Sequence, residues 1–245
     1  MKTSLISKMA KRLAPIAPVQ MVRADRDHLY KIQFHQVKPD AAADYQDLCR
    51  SQLEQINANT AVPMTHMASF KTWYGHQDEV IHIWRYSGNG YEAHKKTQNE
   101  LADIESYRKF RDARSKMLTS RRNELVYEFG FWPQMAAKNR DCLYELRSYQ
   151  LKPGTIADWA GHWNAVFQHK YRMDEPVGGF FSDIGELNKV YYIWAYKDLQ
   201  ERLEIRNKAW SASGSSWQRV VTDTQVLCNG ITSSILEPMD FSPTK

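Results

Sequence analysis

Polar and aromatic side chains with the chemistry to bind a ligand recur at every second position in four segments of the chain. Two of these segments lie near residues 31–35 and 82–86, and two more lie at 145–149 and 192–196. Alternation with a period of two places such side chains on one face of a β-strand. Imidazole, carboxylate, guanidinium and aromatic groups facing a shared interior could bind a small molecule. The candidate lining residues are His35, His82, Trp84, Glu145, Arg147, Tyr192, Trp194 and Tyr196.

The chain contains an internal repeat, which indicates why these segments come in pairs. Segment 29–39 aligns with segment 143–153, and both begin with Leu-Tyr and end with Lys-Pro. Segment 80–86 aligns with segment 190–196 through shared Val, Ile-Trp and Tyr positions. The sequence therefore predicts a first unit at residues 28–137 and a second unit at 138–245, preceded by a basic segment at 1–27.

Each unit predicts the order strand, helix, strand, strand, helix, strand. In the first unit the strands are expected at 29–37, 62–73, 79–87 and 123–133, with helices at 40–57 and, in two pieces, at 91–119. In the second unit the strands are expected at 143–151, 177–185, 189–196 and 224–237, with helices at 154–171 and, again in two pieces, at 198–222. This order is that of the split βαβ, or ferredoxin-like, fold, an α+β class.

Alternation along the strands also predicts which face meets the helices. The aliphatic and aromatic face of the first unit, which carries Tyr30, Ile32, Phe34, Ile81 and Ile83, is expected to lie beneath the helices. The polar and aromatic face would then be covered by the matching face of the other unit, which gives a closed barrel between the two sheets. Two interpretations of that interior remain open: a hydrated interface between the units, and a small-molecule pocket.

The net charge of +5 lies in the N-terminal segment. The first 24 residues contain five basic residues and no acidic residue, so the remaining chain is neutral. A neutral body argues against nucleic-acid binding, which needs a basic surface. A basic, acid-free N-terminus with short aliphatic clusters is typical of a mitochondrial presequence, and a basic tail without a targeting role is the alternative.

The sequence predicts neither a metal site nor a membrane span. Three widely separated cysteines argue against a disulfide framework and against structural zinc. Asp158, His162 and His169 share a helix flank, but the two histidines are two turns, or ~10 Å, apart. No apolar run approaches the roughly 20 residues that cross a bilayer. No sequence motif for a catalytic nucleophile, a phosphate loop or a dinucleotide site occurs, and no cofactor is expected.

A basic segment and several short motifs could contact partners. The basic segment contains Arg108, Lys109, Arg111, Arg114, Lys116, Arg121 and Arg122, and its apolar residues at helical spacing favour a packed helix with a charged outer face over an anion or lipid site. Short aromatic-x-x-aliphatic motifs can dock on a partner protein as an added strand. Matches occur at 34–37, 45–48, 163–166, 181–184 and 196–199, mostly where the aromatic residue should be buried.

The repeat segments resemble those of the NIPSNAP family. The resemblance rests on segments 143–154, 178–188 and 193–199 in the second unit, and on 29–39, 72–75 and 117–123 in the first. It implies a dimeric α+β barrel fold and a mitochondrial, largely matrix protein that accumulates at the outer surface on damage. There it would recruit autophagy receptors and ubiquitin-like autophagy modifiers in mitophagy.

Two functions follow from these observations. The first is a non-catalytic mitochondrial adaptor, with no catalytic residue and no nucleic-acid partner. The second is a haem-binding or small-molecule-binding protein, or a cofactor-free monooxygenase, that uses the barrel interior, which is an argument by analogy of fold. Homo- or hetero-oligomerisation and peripheral contact with a mitochondrial membrane remain open.

Overall fold

The structure is a computed structural model that describes residues 28–137, 141–171, 175–212 and 214–245. Within these ranges the strands are β1 (Leu29–Val37), β2 (Met64–Tyr74), β3 (Glu79–Tyr86), β4 (Leu118–Glu128), β5 (Leu143–Leu151), β6 (Glu175–Ile184), β7 (Lys189–Tyr196) and β8 (Cys228–Pro238). The helices are α1 (Ala42–Ala58), α2 (Gly90–Ala102), α3 (Glu105–Lys116), α4 (Ile156–Tyr171), α5 (Leu199–Ala212) and α6 (Gly214–Gln225), and a short 3-10 helix (Pro39–Ala41) precedes α1.

The eight strands form one closed antiparallel barrel in the order β1-β3-β2-β8-β5-β7-β6-β4. Strands β1 to β4 form one half and β5 to β8 the other, which confirms the predicted pairing of two ferredoxin-like units in a dimeric α+β barrel. The halves join where β2 pairs with β8 and where β4 pairs with β6. Each half alone would leave two strand edges unpaired, and closure of the barrel satisfies the hydrogen-bonding groups of those edges.

The barrel interior is filled by side chains from both units. Rings from opposite units contact one another, with centroid distances of 5.0 Å for Tyr30 and Phe180, and 4.8 Å for Phe70 and Tyr144. Ile32, Ile83 and Ile193 belong to the same buried cluster. This finding corrects the predicted faces, because the apolar face that was expected to lie beneath the helices points into the barrel.

The helices cover the opposite face of the sheet. Tyr45 and Cys49 of α1 are buried in one cluster with Trp84 and Tyr86 of β3. In the second unit the indole Nε1 of Trp159 on α4 donates a hydrogen bond of 2.8 Å to the hydroxyl of Tyr192 on β7. Trp84, Tyr86, Trp159 and Tyr192 therefore lie in the layer between sheet and helices, where helix side chains also offer hydrogen-bond partners.

The predicted elements agree with the structure apart from one strand. Strand β4 was expected at 123–133 but spans Leu118–Glu128, because the polar stretch 119–123 pairs its backbone with β1 despite having exposed side chains. The turns at Gly75 and Gly185 have φ angles of 126° and 121°, which favour glycine. The two glycines occupy equivalent turns in the two units, so the internal repeat of the sequence is also present in the structure.

Several expectations concern parts of the chain outside the described residues. The presequence-like segment at 1–27 lies outside them, as does the start of the second unit at 138, so the domain boundaries remain predictions. Within the described residues, no helix is both long and apolar enough to cross a membrane.

Candidate functional site

The eight side chains predicted to line the barrel interior lie on its outside, between the sheet and the helices. His35 and His82 hydrogen-bond to Tyr45 of α1, and Tyr192 accepts a hydrogen bond from Trp159 of α4. The predicted interior lining is therefore wrong for all eight, because strand alternation places the rest of the set on the same face as these three. The set is His35, His82, Trp84, Glu145, Arg147, Tyr192, Trp194 and Tyr196.

The polar members separate into one group per unit, and the group in the second unit surrounds Glu145. This carboxylate is fully buried and accepts hydrogen bonds from Arg202 Nε at 3.0 Å and Arg202 Nη2 at 2.7 Å. Ser233 Oγ donates a third bond of 2.6 Å, and guanidinium nitrogens of Arg147 and Arg206 lie 3.8 Å from the carboxylate. One buried anion thus compensates part of the charge of three arginines.

The electrostatics of this group favour the ionised carboxylate. Burial acts to raise the pKa of Glu145, but the hydrogen bond from Arg202, the charge of Arg147 and the hydrogen bond from Ser233 outweigh it and lower the pKa to about 2. The main partner of Glu145 is Arg202 on α5, which the sequence did not indicate as a site residue.

In the first unit, five buried side chains form a continuous hydrogen-bonded chain. Tyr45 hydroxyl lies 2.7 Å from His35 Nδ1 and 2.8 Å from His82 Nε2. His82 Nδ1 lies 2.6 Å from Ser69 Oγ, which in turn lies 2.7 Å from His66 Nε2. No member is more than 3 % exposed. We call this set the histidine relay.

The histidines of the relay are neutral at physiological pH. Burial, followed by the charges of Arg114 and Lys31, lowers the pKa of His35 to about 3. Burial lowers the pKa of His66 to about 4 and holds that of His82 well below its usual range. A neutral imidazole carries one N–H donor and one bare nitrogen, so the tautomers of the three rings are coupled along the chain.

The histidine relay ends at a cavity of about 370 Å³ between β1, β4, α2 and α3. His35 lines this cavity, and its buried Nε2 atom has no hydrogen-bond partner within the described residues. We call the space the cationic cavity because no acidic residue is among those that line it. The lining residues are Lys31, Gln33, His35, His94, Gln98, Tyr107, Arg111, Arg114, Arg121, Asn123, Leu125 and Ile184.

Among the described residues, the cationic side chains of this cavity have no acidic partner. Arg114 is 8 % exposed and stacks on Phe110 at 4.8 Å, while its Nε has no hydrogen-bond partner among the described residues. The ammonium group of Lys31 lies over the rings of Trp84 and Tyr86 at 5.6 and 5.8 Å. Burial and the charges of Arg114 and then Arg111 lower the pKa of Lys31 to about 7.

The sequence prediction assigned the basic segment 108–122 to a charged outer face, and this holds for only part of it. Arg108 and Lys109 pair with Glu105 on the surface, whereas Arg111, Arg114 and Arg121 line the cavity. One feature of the sequence could have distinguished the cavity-lining arginines of α3 from the surface-paired residues. Arg111 and Arg114 have no acidic residue three or four positions away on their helix, so no local ion pair was available to them.

A sequence model of the NIPSNAP family matches residues 144–243. Human NipSnap homolog 2 is 41 % identical over 223 residues, which covers 91 % of this chain and 77 % of that protein. Zebrafish (Danio rerio) NipSnap homolog 1 is 43 % identical over 221 residues, which covers 90 % of this chain and 78 % of that protein. The chain belongs to the NIPSNAP family.

A solved structure shows the fold alone. The crystal structure of an anthrone oxidase-like protein superimposes with a TM-score of 0.64 at 11 % identity, covering 89 % of this NIPSNAP chain and 93 % of that protein. At this level of identity the similarity describes the arrangement of strands and helices and does not extend to chemistry.

The short aromatic-x-x-aliphatic motifs of this NIPSNAP chain are not accessible as docking strands in the folded protein. The aromatic residue of each of the five predicted matches is at most 5 % exposed, which confirms the expectation of burial for most of them. These residues are Phe34, Tyr45, Trp163, Phe181 and Tyr196. Any recruitment by the folded units must therefore use another surface.

Proposed function

We propose that this protein is a mitochondrial, non-catalytic adaptor that recruits autophagy receptors and ubiquitin-like autophagy modifiers to damaged mitochondria. The observation that carries the proposal is its 41 % identity to human NipSnap homolog 2 over nine-tenths of the chain. A barrel interior filled by packed rings, such as Tyr30 against Phe180, is consistent with a scaffold. Recruitment of autophagy proteins requires an exposed contact surface and does not require an internal cavity for a substrate.

The proposed location is the mitochondrial matrix, with accumulation at the outer surface on damage. The support is compositional: the five basic and no acidic residues among the first 24 are typical of an import signal. Residues 1–24 fused to a fluorescent passenger should direct it to mitochondria in cells with an intact membrane potential. A fusion that stays in the cytosol would contradict the proposed location.

The alternative of haem or substrate chemistry inside the barrel has less support. A haem site needs an axial ligand beside open space. The two histidines among the predicted lining residues, His35 and His82, lie outside the barrel and hydrogen-bond to Tyr45. Haemin titrated into the purified protein should give no saturable one-to-one change in the Soret band, and His35→Ala and His82→Ala should leave the titration unchanged.

The recruitment proposal is tested in cells that lack the protein. Mitochondria are depolarised, and delivery of a matrix reporter to lysosomes is measured after re-expression of the full chain or of a version without residues 1–27. We expect the full chain to restore delivery and the shortened version to fail, because it would not reach mitochondria. Purified receptor and modifier should also bind the purified chain directly. Normal delivery without the protein, or an absence of direct binding, would refute the adaptor role.

A further inference from the structure

We propose that the cationic cavity of the first unit is a binding site for a small anion that carries at least two negative charges on phosphate or carboxylate groups. The site would hold the anion between Lys31 of β1, Arg121 of β4, and Arg111 and Arg114 of α3. This inference concerns a ligand of the folded first unit and does not depend on recruitment of autophagy proteins.

The first argument is the uncompensated charge. Four cationic side chains converge on one cavity of about 370 Å³, and none of the described residues that line it is acidic. Burying a cation without a partner is costly, so a buried guanidinium is normally paired. Arg114 is 8 % exposed and its Nε lacks a hydrogen-bond partner within the described part of the chain. An anion in the cavity would supply the missing partner.

The second argument comes from the internal repeat. Lys31 on β1 corresponds to Glu145 on β5, since both follow the Leu-Tyr that opens the repeat. In the second unit the Glu145 carboxylate occupies the space between sheet and helices and binds Arg202 directly. The same position in the first unit carries a cation, and within the described part of the chain the neighbouring arginines have no carboxylate partner in the cavity. In the second unit, the Glu145 carboxylate thus binds arginine between sheet and helices. The corresponding layer of the first unit contains the cationic cavity instead.

The third argument is the donor that the histidine relay presents to the cavity. Because each relay group both donates and accepts, neutral rings allow several arrangements of the hydrogens, including two in which all hydrogen bonds point either toward His66 or toward His35. Only the arrangement that points toward His35 places a hydrogen on the buried Nε2 atom of this cavity-lining residue, an atom without a hydrogen-bond partner among the described residues. An anion is an acceptor, so its binding selects that arrangement and fixes the tautomers of all three histidines.

Size and further donors restrict the ligand class. A volume of about 370 Å³ lies near the lower end of the usual range for ligand pockets, which suits a small metabolite. The amides of Gln33 and Asn123 are hydrogen-bonded to each other at 3.0 Å and also line the cavity. Several cations with additional neutral donors match a small molecule bearing more than one phosphate or carboxylate group.

Affinity for the anion should depend on pH through Lys31. Its ammonium group faces Arg111 and Arg114 from α3, with His35 from its own strand, Arg121 from β4 and His94 from α2 also lining the cavity. The pKa of Lys31 near 7 means that the free site is partly deprotonated at neutral pH. Anion binding should therefore take up a proton, and affinity should fall as the pH rises above 7.

The test is isothermal titration calorimetry of the full chain, in phosphate-free buffer at low salt, with pyrophosphate, citrate and the neutral molecule glycerol as probes. We expect saturable one-to-one binding of at least one anion and none of glycerol. Pyrophosphate alone would assign the phosphate class, and citrate alone the carboxylate class. Absence of saturable binding of both anions up to about 10 mM would overturn the proposal.

Two variants distinguish a specific anion-binding site from non-specific attraction by surface charge. Arg111→Gln removes a lining cation from an exposed position and should weaken binding about tenfold, the loss expected for one charged hydrogen bond. Arg108→Gln makes the same charge change one turn earlier on α3, where the side chain pairs with Glu105 instead, and should leave affinity unchanged. Equal losses in both variants would identify non-specific attraction and overturn the proposal.

A third variant and a spectroscopic measurement test the other two arguments. Lys31→Glu reproduces the residue of the second unit, so it should abolish anion binding and raise the thermal midpoint. In histidine-labelled protein, ¹⁵N NMR should show the Nε2 of His35 becoming protonated when the anion binds. Retention of anion binding by Lys31→Glu, or a His35 tautomer that does not respond to saturating anion, would contradict the assigned geometry.

Discussion

Replacement of Glu145 by glutamine should destabilise the fold substantially, although the shape of the side chain is nearly preserved. The carboxylate has no exposed surface and binds both nitrogens of the Arg202 fork and the hydroxyl of Ser233. Glutamine removes the only negative charge that the structure places within 4 Å of Arg147, Arg202 and Arg206, among the described residues. These arginines would then repel one another without compensation.

The expected magnitude follows from the pKa of this carboxyl. Its lowering from an ordinary value near 4.5 to about 2 corresponds to roughly 3 kcal/mol of stabilisation of the ionised form. Because the side chain of Arg202 is 24 % exposed, water can replace part of the lost interaction. We therefore expect a loss of about 2–3 kcal/mol in the free energy of unfolding at pH 7.

The ordinary and the folded-state pKa values of Glu145 also determine the sign of the pH dependence. A lowered native pKa contributes stability that is fully present above the ordinary unfolded value, near 4.5, and that is lost as the pH falls toward 2. The difference between wild type and Glu145→Gln should therefore be largest at pH 7 and fall to about half at pH 3. Below the folded pKa both proteins carry a neutral group at this position.

Urea unfolding followed by circular dichroism at both pH values measures this difference. Glu105→Gln is the matched control, because Glu105 also pairs with two basic side chains but is 61 % exposed. The control should change stability by less than about 1 kcal/mol at either pH. If Glu145→Gln lies within about 0.5 kcal/mol of wild type at pH 7, or if its effect does not change with pH, the assigned role of the buried carboxylate is wrong.

Three further substitutions test the packing. Trp194→Ala should cost about 3–5 kcal/mol in urea unfolding, since Trp194 is 1 % exposed; a loss below about 1 kcal/mol would show that the site is not tightly packed. Gly185→Ala should cost about 1–3 kcal/mol, because φ is 121° and the added methyl would lie 2.7 Å from Glu124; calorimetry would refute this strain if the midpoint is unchanged. Gly161→Ala lies in α4, where the added methyl meets no described residue within 4 Å apart from its own helix backbone and chain neighbours, so it should instead raise the free energy of unfolding by about 0.5–1 kcal/mol. A lowered thermal midpoint would contradict the open space.

The order and approximate limits of the elements could be predicted because they depend on local signals and on the repeat. Strands β5 and β7 match their predicted limits, and α2 and α3 form the broken helix that was expected. Strand β4 was misplaced because residues 119–123, near its start, have exposed polar side chains and are held by backbone pairing with β1. Such a strand carries no hydrophobic alternation to detect.

The orientation of the sheet faces could not be predicted, because both faces are buried. Alternation correctly groups Tyr30 with Ile32 and His82 with Trp84, but it does not indicate which group points inward. The barrel interior is enclosed by strands alone. Apolar residues fit there because they need no hydrogen-bond partners for their side chains. The outer face meets helices, and Tyr45 and Trp159 from those helices provide hydrogen-bond partners for His82 and Tyr192.

The cationic cavity also reaches the boundary between the two units, and this has a consequence for ligand binding. Leu125 of β4 pairs with Ile184 of β6 across that boundary, and both residues line the cavity. An anion bound there would contact the first unit through its cations and lie against a strand of the second. A ligand that binds only the folded state adds about 2.7 kcal/mol of stability at a concentration of one hundred times its dissociation constant. Closure of the barrel would then be strengthened at the β4–β6 boundary while the ligand is present.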